Sequence, residues 1–189
     1  MAMRTSTRER LLDAADALFA ARGIAATPVD AVLARAGVSS ATLYRGYASK
    51  EALLAAVLER RHREWIACWD AAIERASDAD GRLLAVFDAL DDFRDRPLGS
   101  RWCAFLGAAA EYADAPAEVA DAVRLDTDAL RTRLARLAHE AHVDDPAALA
   151  EGLLLVVTGD LAMRLRAPRH TTSTARAVAA TLVAAAAAR

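Results

Sequence analysis

The chain has 189 residues and 55% hydrophobic content, enough for one large or two small domains around a sizeable core. Its formal charge of −2 hides an uneven distribution: residues 1–63 carry 10 basic and 6 acidic side chains, leaving 14 and 20 for the rest, and a basic head on an acidic body suggests a polyanionic partner for the head. Two cysteines without a CxxC pair exclude a disulfide scaffold, the polar first ten residues hold no apolar signal segment, and apolar stretches such as 152–157 and 183–188 are too short for a bilayer, so a cytoplasmic protein is expected.

Strand alternation is nearly absent, while Ala, Leu, Arg and Glu dominate and apolar residues recur at three and four spacings. The fold class is all-α, with about nine helices. Ser6-Thr7-Arg8-Glu9 reads as a capping box with Ser6 as N-cap, opening a helix that buries Leu11, Leu12, Ala15, Leu18 and Phe19 and stops at Gly23. Thr27-Pro28-Val29-Asp30 reads as a second box, with Thr27 as cap and Pro28 at the first helical position. That helix ends at Gly37, a natural left-handed terminator. A third helix opens at Ser39 and runs to Arg45, and Ser49 caps a long fourth helix to about Ala76. Further helices fit 80–93, 100–112, 116–141, 146–166 and 172–188, with 95–99 as a polar loop. The seam lies within the fourth helix. The domains are placed at 1–55, a three-helix head, and 56–189, a helical body.

Residues 27–47 carry the function. A helix of about nine residues, a glycine turn and a second short helix have helix-turn-helix spacing. Val32, Ala36, Val38 and Leu43 can meet inside. That leaves Ser39, Ser40, Ala41, Thr42, Tyr44 and Arg45 facing out. Short hydroxyls, a methyl, a phenol and a guanidinium suit phosphate and base-edge contacts in a major groove. The chain has no asparagine and no glutamine, the usual bidentate readers of adenine. Readout therefore falls to Arg45 on guanine, to Ser and Thr hydroxyls, and to methyl contacts of Ala41 or Thr42 with thymine.

The run Gly37-Val38-Ser39-Ser40-Ala41-Thr42-Leu43-Tyr44, followed by Tyr47, Ser49, Lys50, Glu51 and Leu53, resembles the tetracycline-repressor (TetR) family of regulators, and Ala15, Leu18, Phe19, Gly23, Thr27 and Val29 upstream agree. The resemblance covers roughly the first 55 residues. It implies that Thr27, Pro28 and Lys50 lie near phosphates, and that the outward set faces the groove. Lys50 is the chain's single lysine. Gly46 departs from the His or Tyr usual at that place, which removes a backbone contact. The resemblance also implies an apolar effector cavity in the body, for which Trp65, Trp69, Phe87, Trp102, Phe105 and Tyr112 are the candidate lining, and Glu111 and Arg101 candidate polar anchors.

Leu149, Leu153, Val156, Val157, Leu161 and Leu165 form one stripe, and Ala177, Val178, Thr181, Leu182 and Ala185 another. Paired across a two-fold axis they would make a four-helix bundle, with Leu153, Val157, Leu161, Val178 and Leu182 at the dimer interface. Two heads on one symmetric body imply a palindromic operator. The expected function is a DNA-binding regulator, a homodimeric repressor released from double-stranded DNA by a small apolar effector. The alternative is a protein of the same fold that binds small molecules or proteins without reading DNA. No enzyme motif is present and no cofactor is implied. His139 and His142, three apart, are the nearest approach to a metal pair.

Overall fold

The structure is a computed structural model and describes residues 4–96, 103–167 and 169–187. Nine α-helices and no strand occur among the described residues: α1 (Thr5–Arg22), α2 (Val29–Ala36), α3 (Ser40–Gly46), α4 (Lys50–Arg75), α5 (Ala79–Arg94), α6 (Ala104–Glu111), α7 (Ala117–Glu140), α8 (Pro146–Arg166) and α9 (Ser173–Ala187). The all-α expectation holds. Arg101 and Trp102, and the expected start of the sixth helix, lie outside the described residues.

Local chemistry sets the helix ends. Asp78 accepts the Gly81 N–H at 2.7 Å, and this bond holds its carboxyl below the usual range. Asp145 accepts from Ala148 at 3.0 Å with Pro146 next, and Ser49 accepts from Ala52 at 3.0 Å. Gly37 closes α2 in the left-handed region, φ 64°, a conformation glycine adopts without a Cβ penalty. Two expected caps do not form. α1 is opened by the Arg4 carbonyl, which leaves Ser6 inside the first turn, and α2 is capped by Pro28 with no side-chain bond. His142 leaves α7 at φ 57°, so it does not continue the helix face that carries His139.

The described residues form two compact units. The first joins the chain up to Arg61 with Ala104–Arg124, and the second holds the remainder. A boundary at 55–56 would cut α4 in the middle of a core, because Val57 and Leu58 pack with the head. The sequence reading also lacks the return of α6 and the start of α7 to the head. Ala108 and Val119 are fully buried there among Leu11, Phe19, Leu43 and Leu54. Asp16 of α1 is buried and meets Arg61 of α4 at 2.6 Å, while Arg60 bonds Asp13 at 2.6 Å.

The second unit is built on Trp65, Cys68 and Trp69 of α4, Leu83, Val86 and Phe87 of α5, Leu130, Leu134 and Leu137 of α7, and the inner faces of α8 and α9. Trp65 and Trp69 lie tilted at 5.7 Å, and Phe93 meets Trp65 edge-on at 5.8 Å. Burial pushes the Cys68 thiol above its ordinary value. α8 is long and apolar enough to cross a membrane by length and composition. Yet it packs Leu149, Leu153 and Val157 into this core and buries the pair Arg164–Asp160 at 3.1 Å, with His170 on the same carboxylate at 2.7 Å. It is a core helix of this unit.

The interface expectation needs correction here. Leu153 and Val157 are 0% exposed and serve the chain's own core, against which Leu161 and Leu182 also pack. The large apolar residues that α8 exposes are instead Leu155 and Met163, with Leu165 of the expected stripe, and Leu155 is 73% exposed. Val178, on α9, is 47% exposed.

Candidate nucleic-acid interface

α3 is short, and three constraints shape it. Gly37 turns the chain after α2. Ser39 caps the N-terminus, accepting the Thr42 N–H at 3.3 Å, while its hydroxyl also pairs with that of Thr42 at 2.9 Å. Leu43, 0% exposed, anchors the helix in the head. With Leu43 inward, Ser40, Ala41, Tyr44, Arg45 and Gly46 are exposed, and Tyr44 is 55% exposed. Of the expected outward set, Ser39, Ser40, Ala41, Tyr44 and Arg45 are exposed. Thr42 is half-buried, its hydroxyl engaged with Ser39. Pro28 is exposed at the start of α2. Tyr47 is buried behind the helix and accepts a hydrogen bond from Arg8 Nε at 3.3 Å, which raises the Arg8 guanidinium above its ordinary value.

Thr27 and Glu111 behave differently from what the sequence implied, and Lys50 has a partner within the chain. Thr27 is 0% exposed, and its hydroxyl donates to the carbonyls of Gly23 at 2.7 Å and Leu18 at 3.3 Å. It ties the α1–α2 turn and has no face for a phosphate. Lys50, half-buried at the start of α4, donates from Nζ to the Ile24 carbonyl. Glu111, at the end of α6, is no effector anchor: its carboxylate accepts the N–H of Ile24 at 2.9 Å and of Ala25 at 2.6 Å. The turn after α1 is thus held by Thr27 from within, Lys50 on its carbonyl and Glu111 on its amides. Gly23 permits the closure. It sits at φ 85°, and a Cβ there would lie 3.2 Å from the Glu111 carboxylate.

The proposed effector lining is divided. Trp65, Trp69 and Phe87 belong to the second unit's core. Phe105 and Tyr112 pack in the first. The Tyr112 hydroxyl donates to Glu51 at 3.5 Å, and burial, then the Glu51 charge, raises its ionisation above the ordinary value.

A helix-turn-helix with an exposed second helix, set in an all-helical chain, defines a DNA-binding transcription regulator. The profile of bacterial regulatory proteins of the tetR family matches residues 11–57. The crystal structure of a TetR-family transcriptional regulator from Streptomyces coelicolor is 30% identical over 98% of both chains, with a TM-score of 0.86. A TetR-type regulator from Streptomyces avermitilis is 28% identical over 95% of this chain and 97% of its own, with a TM-score of 0.81. The HTH-type transcriptional activator FasR of Mycolicibacterium smegmatis is 37% identical over 90 residues, 48% of this chain and 41% of FasR. The match spans about two fifths of that relative's length. The chain belongs to the TetR family of bacterial transcription regulators.

Proposed function

We propose that this regulator acts in the cytoplasm as a homodimeric repressor that reads a palindromic operator through α3 and leaves it when a small apolar effector binds the second unit. The observation that carries the reading is α3 itself: Ser40, Ala41, Tyr44 and Arg45 exposed around a buried Leu43. Arg45 is the base reader for guanine and Ala41 a methyl contact for thymine. Dimerisation is supported by the uncovered apolar stripe of Leu155 and Met163 on α8 and Val178 on α9. Leu155→Arg then yields monomers in ultracentrifugation and weakens DNA binding with them. The effector reading is supported by Trp69, whose indole N–H is buried with no hydrogen-bond partner among the described residues. An apolar molecule carrying one acceptor oxygen would satisfy it.

The test is fluorescence anisotropy on the DNA upstream of its own gene across a salt series, with Arg45→Ala as control. Binding steep in salt, weakened by Arg45→Ala, and a selected site with guanine at the Arg45 contact support the reading. Equal affinity for random DNA, unchanged in Arg45→Ala, overturns it in favour of a fold that binds small molecules or proteins without reading DNA. A reporter driven by the upstream DNA separates repression from the activation for which FasR is named.

A further inference from the structure

A second feature of the head faces outward and is absorbed neither by its core nor by α3. Between α1 and α2 lies a shallow cleft of about 210 Å³ lined by Arg10, Asp13, Ala14, Arg35 and Ala36. Arg10 and Arg35 are exposed, and neither has a carboxylate partner among the described residues. The one acid in the cleft, Asp13, bonds Arg60 Nη1 at 2.6 Å. Its charge is already met from α4, and the two guanidiniums are left in excess. The walls between them are the methyls of Ala14 and Ala36, small enough for a tetrahedral group to approach both cations. The cleft is also placed usefully. Arg10 Nη1 lies 3.8 Å from where a Cβ on Gly37 would stand, at the turn two residues before Ser39, which opens α3.

Unpaired guanidiniums lining one cleft are donors for a phosphodiester, which a guanidinium can hold through parallel N–H bonds. Three other cations of the head are spent within the chain, Lys50 on Ile24 and Arg60 and Arg61 on Asp13 and Asp16. We infer that the Arg10–Arg35 cleft holds one backbone phosphate of the DNA whose groove receives α3, and so sets the register of the head without reading sequence. The inference rests on the DNA-binding reading and adds to it a contact that neither the family resemblance nor the groove-facing set contains.

The test uses the full chain and two duplexes about three helical turns long, one of random sequence and one from its upstream DNA. The variants are Arg10→Gln, Arg35→Gln and the pair together. Each single change should weaken binding to both duplexes by the same factor. The double variant should flatten the dependence of log K on log salt by about 0.9, the value for one phosphate rather than two. Arg10→Lys and Arg35→Lys should keep most of the affinity. Both side chains are exposed without partners, so unfolding midpoints should stay at the wild-type value. Unchanged affinity and slope in the glutamine variants overturn the inference alone. So does a loss confined to the upstream duplex, which would mean base reading. Loss of stabilisation by inorganic phosphate at matched ionic strength, with DNA binding intact, would assign the cleft to a free anion and also overturn it. Failure of the wild-type chain to bind either duplex removes the DNA reading itself, and this contact with it.

Discussion

Glu111 offers the sharpest test of how the head is held together. Its carboxylate accepts two backbone N–H groups, at 2.9 Å from Ile24 and 2.6 Å from Ala25. A hydrogen bond to a charged group contributes roughly 1.5–3 kcal/mol, and less where water can replace the partner. Ala25 is exposed and its amide can turn to solvent, whereas Ile24 is 2% exposed. Most of the loss in Glu111→Ala therefore falls on the Ile24 amide, and the variant should be destabilised by about 2 kcal/mol. For a chain of this size that lowers the thermal midpoint by about 4–8 °C. Glu111→Gln keeps one carbonyl acceptor and should lose about half as much. Hydrogen exchange reads the site directly: the Ile24 amide should exchange about 30-fold faster in Glu111→Ala, the factor equivalent to 2 kcal/mol. Wild-type midpoints in both variants, with unaltered exchange at Ile24 and Ala25, would refute the claim that this carboxylate holds the turn.

Thr27→Val, which keeps the volume and removes the donor, should cost about 1 kcal/mol in urea unfolding. The folded variant should bind DNA as wild type does, and a specific loss of DNA affinity would restore a phosphate role for Thr27. Asp16→Ala should cost about 1.5–3 kcal/mol, because it removes the 2.6 Å charged hydrogen bond to the buried Arg61 guanidinium. Stability close to wild type would show the pair to be dispensable. Because burial and Glu51 raise the Tyr112 ionisation, the folded chain keeps this proton more tightly than the unfolded one. Its contribution is complete below about pH 10 and falls as pH rises through the higher folded value. Tyr112→Phe should flatten that alkaline decline, and an identical decline in the variant would contradict the assignment.

The recognition helix was legible because its determinants are local. Gly37, the Ser39 cap and the single anchor Leu43 lie within seven residues, and together they decide which side chains are left outside. Thr27 and Glu111 were misjudged because each is a polar side chain beside a backbone turn. A polar side chain next to a turn can serve solvent, a ligand or an orphaned backbone group. For Glu111 the choice depended on α6, 86 residues along the chain, returning to the head, whereas Thr27 bonds the nearby carbonyls of Gly23 and Leu18. The signal was present, since a lone carboxylate ends a helix that is otherwise apolar and small. Nothing in the spacing says that the waiting donors belong to Ile24 and Ala25.

α8 failed in a different way, and the failure is informative. Its segment Leu153-Leu154-Leu155-Val156-Val157 is apolar on every side, so helical periodicity fixes no phase, and the expected interface stripe runs through Leu153 and Val157 rather than Leu155. The usual guide, polar residues out, is inverted as well, since Asp160 and Arg164 are buried against each other and His170. A helix that satisfies its core with Leu149, Leu153 and Val157, and still presents Leu155, Met163 and Leu165 to water, carries more apolar surface than one chain can cover. Such a surplus is costly for a monomer and useful for a dimer, where each exposed leucine removed from water contributes roughly 1.5–3 kcal/mol. The ambiguity that hid the phase of α8 from the sequence is therefore the same property that supports a second copy of the chain as its partner.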